Sequence, residues 1–237
     1  MICLTKQVIF DKIGNRFLLK IFGVNISFSL KSQRGKFIPL GTNCFARTKL
    51  VKFGLKQRKK KGELSYPFDL CVTPIKSIAQ ILANNFEDYF EDSYFDNELN
   101  IWKNKKYSIV YWHDKAMEKE KFVTRYKNRI ENFKNITKTS KDLIFVTVIF
   151  NEKFDSDIYV SIEESLKKYC NNSFKYFVIN IVPKCSNISF KTSNLIYREI
   201  VEPCENYSNL WSNEQLEKQI KNINDFYKSY INIFKDL

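Results

Sequence analysis

Leu143-Ile-Phe-Val-Thr-Val-Ile-Phe150 decides the fold. After Leu143 every residue is β-branched or aromatic, and Thr147 is the one polar member. A strand with one wet face alternates apolar and polar side chains. A near-continuous apolar run predicts burial on both faces, as in a parallel sheet covered by helices. The pattern repeats outward from this strand. Ile158, Ile162, Leu166 and Cys170 recur at helical spacing, residues 174–182 read as a strand stopped by Pro183, and residues 195–201 read as a shorter strand. Upstream, residues 115–137 carry Phe122, Tyr126, Arg129, Ile130 and Phe133 on one helical stripe. Thr73 and Pro74 read as N-cap and first residue of a helix with Ile75, Ile78, Leu82, Phe86 and Tyr89 inward. Residues 211–234 read as a closing helix.

Strands alternating with amphipathic helices predict an α/β fold: three layers, a mainly parallel sheet with helices on both faces. Strands near 37–40, 107–112, 143–150 and 174–182 are expected in that one sheet, within a domain spanning 37–237. Residues 1–36 read as an appendage, with a short N-terminal β-hairpin over 16–30 turning near Gly23-Val24-Asn25 and a linker from Ser32 to Lys36.

The 237 residues are 44% hydrophobic, with 21 Phe and 13 Tyr, which is enough for one large core. No apolar run reaches the roughly 18 residues of a membrane span, and the first ten residues are too short and mixed for a signal peptide. Peripheral membrane contact stays open. Cys3, Cys44, Cys71, Cys170, Cys185 and Cys204 are scattered with no CxxC, so they read as reduced thiols of a cytoplasmic protein. With a single histidine, the usual mixed zinc sites cannot be completed; no metal and no cofactor are expected. The net charge of +13 invites a nucleic-acid reading. The lysines are spread through the chain, however, and the dense run Lys56-Gln-Arg-Lys-Lys-Lys61 reads as a solvated loop. Without a recognition motif, nucleic acid is disfavoured.

Chemistry concentrates in Leu40-Gly-Thr-Asn-Cys44. Phe37, Ile38 and Leu40 read as a strand, Gly41 breaks it, and Ala46, Leu50 and Phe53 start a helix that Gly54 ends. Cys44 therefore falls on a strand-to-helix turn. Orphan amides and the positive end of the helix dipole favour a thiolate there and can hold an oxyanion through the N–H groups of Cys44 and Phe45. The competing reading is a small buried cysteine packing a tight turn. His113, the only histidine, follows the apolar run 107–112 and would be the base of any Cys/His pair. Asp69 lies in the apolar stretch Tyr66-Pro-Phe-Asp-Leu70, where burial demands a partner such as a histidine or backbone amides; a turn-capping aspartate is the alternative. Arg125 and Arg129, one helical turn apart, could bind a carboxylate or phosphate, or could be surface arginines paired with Glu118 or Glu131.

Leu40-Gly-Thr-Asn-Cys44, Tyr66-Pro-Phe-Asp69, His113-Asp114 and Arg125-Tyr-Lys-Asn-Arg129-Ile occur in that order. The set resembles a bacterial family of papain-like cysteine peptidases. The resemblance covers about residues 37–150. It implies Cys44 as nucleophile, His113 as base and Asp69 or Asp114 as the acid that orients the imidazole. Asn43, Arg125 and Arg129 are the candidate substrate contacts. A papain fold is a helical lobe beside an antiparallel barrel, whereas the alternating pattern predicts a parallel sheet, and the pattern is followed for the fold. The thiol on a strand-to-helix turn also resembles small α/β esterases that carry serine at that place.

The resulting expectation is a cysteine-dependent hydrolase or acyl transferase. Its substrate would be a small molecule, a peptide or a glycan-linked group, and an anionic one is allowed for. The alternative is a non-catalytic or glycan-handling protein of a bacterial surface-polysaccharide pathway. That reading rests on the hairpin Arg16–Leu30, which resembles terminal hairpins of polysaccharide-biosynthesis proteins.

Overall fold

The structure is a computed structural model and describes residues 9–13, 16–21, 24–29, 35–52, 54–140, 142–186, 188–202 and 233. The helix expected over 211–234 lies outside the described residues, apart from Ile233. At the N-terminus, β1 (Ile9–Ile13), β2 (Arg16–Ile21) and β3 (Val24–Ser29) form an antiparallel meander. The expected hairpin is β2–β3, in register Arg16 to Ser29, and β1 extends it by a strand.

The main sheet is built from β4 (Lys36–Pro39), β8 (Leu143–Phe150), β9 (Phe174–Val182), β10 (Phe190–Lys191) and β11 (Leu195–Val201). Its order is β10-β11-β9-β8-β4, parallel throughout except for the short β10. This is the α/β architecture that the apolar run predicts. Alternate residues of β8 serve two cores. Leu143, Phe145 and Ile149 face a large cluster, and Ile144, Val146 and Val148 face a smaller one. β9 divides likewise, Tyr176 and Val178 against Phe177 and Ile179.

The large cluster is covered by α2 (Ile75–Ala83), α3 (Lys119–Thr139) and α4 (Ser156–Tyr169). The other face is covered by α1 (Phe45–Lys52), through Phe45, Ala46 and Leu50, with Ile233 packed against the same cluster. β4 is an edge strand, which tolerates Pro39 at its end. Beyond the proline the pairing continues through one backbone bond, Leu40 N–H to Val146 O at 2.9 Å, and two side chains: Thr147 Oγ1 donates to Leu40 O at 3.2 Å, and Thr42 Oγ1 donates to Val148 O at 3.0 Å.

Two expectations need correction. The run 107–112 does not enter the main sheet. Residues Ile109–Tyr111 form β7 of a separate antiparallel sheet with β5 (Ser93–Asp96) and β6 (Ile101–Asn104). The β7 backbone pairs with β6 on one side and with Val72 on the other, which leaves no edge for the main sheet. Also, α2 starts one residue later than expected. Thr73 is taken into an extended bridge with Thr42, and Pro74 stands in the cap position without a side-chain cap.

Candidate active site

Cys44 closes the turn from β4 into α1. Gly41 has φ +60, and a Cβ there would stand 2.8 Å from Ile78 Cδ1, so the turn requires glycine. Asn43 Oδ1 accepts the Phe45 N–H at 2.8 Å, and Cys44 O accepts the Thr48 N–H at 3.0 Å, opening the helix. Asn43, a candidate substrate contact by sequence, thus caps α1. It also occupies one of the two amides expected to hold an oxyanion. Phe45 is buried edge-on against Phe150, with ring centroids 5.2 Å apart, and anchors the turn to the sheet.

The Cys44 sulfur is half-buried, and burial pushes its pKa up, opposed by its own backbone N–H. The expectation of a lowered thiol pKa is therefore reversed. Desolvation of the thiolate outweighs an eight-residue helix whose first free amide is already capped. The neighbouring thiol, Cys71, is fully buried, donates to Pro67 O at 3.3 Å and is pushed up to about 11 by burial, as befits a packing residue.

The other motif segments converge on the turn through backbone pairing. Thr73 N–H donates to Thr42 O at 2.8 Å, and Val72 and Val110 exchange a pair of bonds at 2.9 Å. A ribbon therefore runs from the Cys44 turn, through the segment after Asp69, to the strand that leads into His113. His113 itself is exposed, in the turn after β7. It makes no hydrogen bond or ion pair with Cys44, Asp69 or Asp114 among the described residues, so the dyad is not closed in this structure.

Both candidate acids are committed to arginines. Tyr66-Pro67-Phe68-Asp69 is a β-turn closed by Asp69 N–H to Tyr66 O at 3.2 Å, and it drives the carboxylate inward, where it ion-pairs with Arg47. Both partners are buried. Asp114 Oδ1 accepts from Arg125, and its Oδ2 accepts the Tyr126 hydroxyl at 2.7 Å, with Arg129 Nη1 at 3.6 Å. The partner that a buried Asp69 demanded is thus an arginine, one turn beyond Cys44. Sequence reasoning missed Arg47, although its place on the inward side of α1 next to Ala46 carried the signal. Arg125 and Arg129 pair with Asp114 rather than with Glu118 or Glu131. Among the described residues no group of three or more His, Cys, Asp and Glu side chains could hold a metal ion.

The fold and site together define an α/β protein with a mainly parallel sheet and a cysteine on the turn from β4 into α1. Residues 35–186 match the family described as "Putative papain-like cysteine peptidase (DUF1796)", and the chain belongs to that family. No curated protein and no solved structure matches the chain.

Proposed function

We propose that the chain is a cysteine-dependent hydrolase or acyl transferase in which Cys44 attacks a carbonyl and His113 takes the thiol proton. The observation that carries this reading is the anchored turn: Cys44 is half-exposed at the opening of α1, and the ribbon through Thr73 and Val110 leads from it to His113. Because burial keeps the thiol protonated at rest, the proton must leave as the sulfur attacks, which makes His113 a general base rather than one half of a standing ion pair. With the Phe45 N–H taken by Asn43, the Cys44 N–H is left as the oxyanion donor. The exposed His113 side chain supplies the base by turning toward the thiol, while Asp114, the buried residue next to it, is fixed by Arg125, Tyr126 and Arg129 and holds the turn in place. Asp69 acts through Arg47, which it fastens beneath the nucleophile's helix. A small-molecule or peptide acyl group fits the family.

The test is acylation of the full chain with a p-nitrophenyl ester and with a thioester, followed by peptide mapping. An acyl adduct on Cys44 that turns over is expected. His113→Ala should slow its formation by roughly a hundredfold or more, and Cys44→Ala should abolish it. Acylation spread over all the cysteines, or a Cys44 adduct indifferent to His113→Ala, would sink the assignment.

A further inference from the structure

A groove of about 540 Å³ runs between α3 and residues 63–65. Arg129 forms part of its wall, with a side chain only 8% exposed. The Arg129 Nη1 is buried without a hydrogen bond, since Asp114 Oδ2 at 3.6 Å is too far to accept one. Arg125, one turn earlier and 43% exposed, lines the same groove and draws on the same carboxylate. Arg47 lies close enough to Arg129 for the two guanidiniums to repel. Arg47, Arg125 and Arg129 pair with Asp69 and Asp114, and Glu63 also acts on Arg47 but is shared with the buried Lys56, so the largely buried cluster keeps one positive charge in excess. The other nearby carboxylates do not cancel it. Glu118 is held by Lys121, and Glu120 is exposed on the rim, where water screens it.

Asp114 and the Tyr126 ring, its centroid 4.4 Å from the guanidinium carbon, answer Arg129 only in part, and a buried guanidinium with one nitrogen unbonded is costly unless a ligand completes the balance. Thr124 and Asn128 stand exposed on the same wall as further polar contacts. We propose that this groove is an oxyanion site that takes the carboxylate or phosphate group of a small ligand, with the buried Arg129 guanidinium as its inner cation and Arg125 as its outer one. Neither Cys44 nor His113 lines it, so the proposal stands independently of the thiol chemistry.

The experiment titrates the full chain calorimetrically with inorganic phosphate and, separately, with acetate, each against chloride at matched ionic strength. Saturable binding of at least one oxyanion beyond chloride is expected, and the two arms identify which geometry the groove takes. Asn128→Asp puts a carboxylate on the groove wall without touching the buried ion pairs. It should weaken binding about tenfold or more while leaving circular dichroism unchanged and without lowering the unliganded melting temperature, since the added carboxylate partly answers the excess positive charge. Arg129→Lys keeps the charge but loses the planar fork, and should weaken binding too. Cys44→Ala should bind as the unaltered chain does, which separates this test from that of the nucleophile. No saturable binding of either anion, or equal binding by Asn128→Asp, would overturn the proposal; the latter would mean adsorption on surface lysines.

Discussion

Gly41 and Cys44 show how narrowly a turn can be specified. Gly41→Ala adds a Cβ at φ +60 against Ile78, and strain together with overpacking should cost about 1–3 kcal/mol. Urea unfolding followed by fluorescence should show a lower midpoint with an unchanged slope; an unchanged midpoint would mean that the turn relaxes freely. Because burial raises the Cys44 pKa, its alkylation rate should keep climbing with pH past the ordinary cysteine range. A plateau in rate near pH 6 would show a thiolate already formed. The Arg47–Asp69 pair makes an asymmetric prediction. Arg47→Ala leaves a buried carboxylate without its cation and should cost about 3–5 kcal/mol, whereas the double change Arg47→Met with Asp69→Leu should recover much of that in a thermodynamic cycle. Asp69 was legible as a buried acid because it sits among aromatic residues. Its partner was harder to see: the place of Arg47 beside Ala46 on the inward side of α1 is a signal, but on a short basic helix it is easily taken for another surface cation.

At the scale of elements, α3 holds the small sheet to the rest of the core. Phe122 stacks on Trp102 of β6 at 4.7 Å and meets Tyr111 of β7 edge-on at 4.8 Å. Phe122→Ala should cost about 3–5 kcal/mol by chemical denaturation, and less only if the aromatic cluster collapses into the space. The segment 84–92 is tied down differently. Burial works to raise the Asp88 pKa, but hydrogen bonds from Lys106, Tyr107 and Asn84 outweigh it and hold the carboxyl down at about 2. A depressed carboxyl stabilises the fold above its unfolded pKa, near 4, and loses that contribution as pH falls toward 2. Melting temperatures measured from pH 5 to pH 2 should therefore fall less steeply for Asp88→Asn than for the unaltered chain. This stretch also shows why sequence periodicity ran too far. Phe86 and Tyr89 are buried at helical spacing from Ile78 and Leu82, yet α2 ends at Ala83, and Asn85 and Phe86 turn into left-handed backbone. Spacing reports which side chains face the core, and successive tight turns can present the same face as a helix. β5 and β6 escaped for a related reason, since strands of four residues are too short for their alternation to be told from a loop, whereas β7 falls within the strand expected at 107–112 and only its sheet differs.

For the molecule as a whole, the parallel sheet was legible because burial on both faces leaves an unambiguous mark on β8 and β9. The strand order was not, since nothing local says that, among the described residues, β4 stands at an edge beside β8 alone. That placement has a measurable consequence. A chain ending at residue 142 lacks the one strand with which β4 pairs, and should show no cooperative thermal transition by circular dichroism. A sharp transition would mean that α1, α2 and the small sheet fold without β8. The bond from Thr42 to Val148 also orders events in time, for it spans 106 positions of sequence. During synthesis, Cys44 leaves the ribosome long before the strand that fixes its turn has been made. At roughly 5–20 residues per second, the nascent thiol spends several seconds or more as an ordinary exposed cysteine, acquiring its final surroundings only when β8 docks.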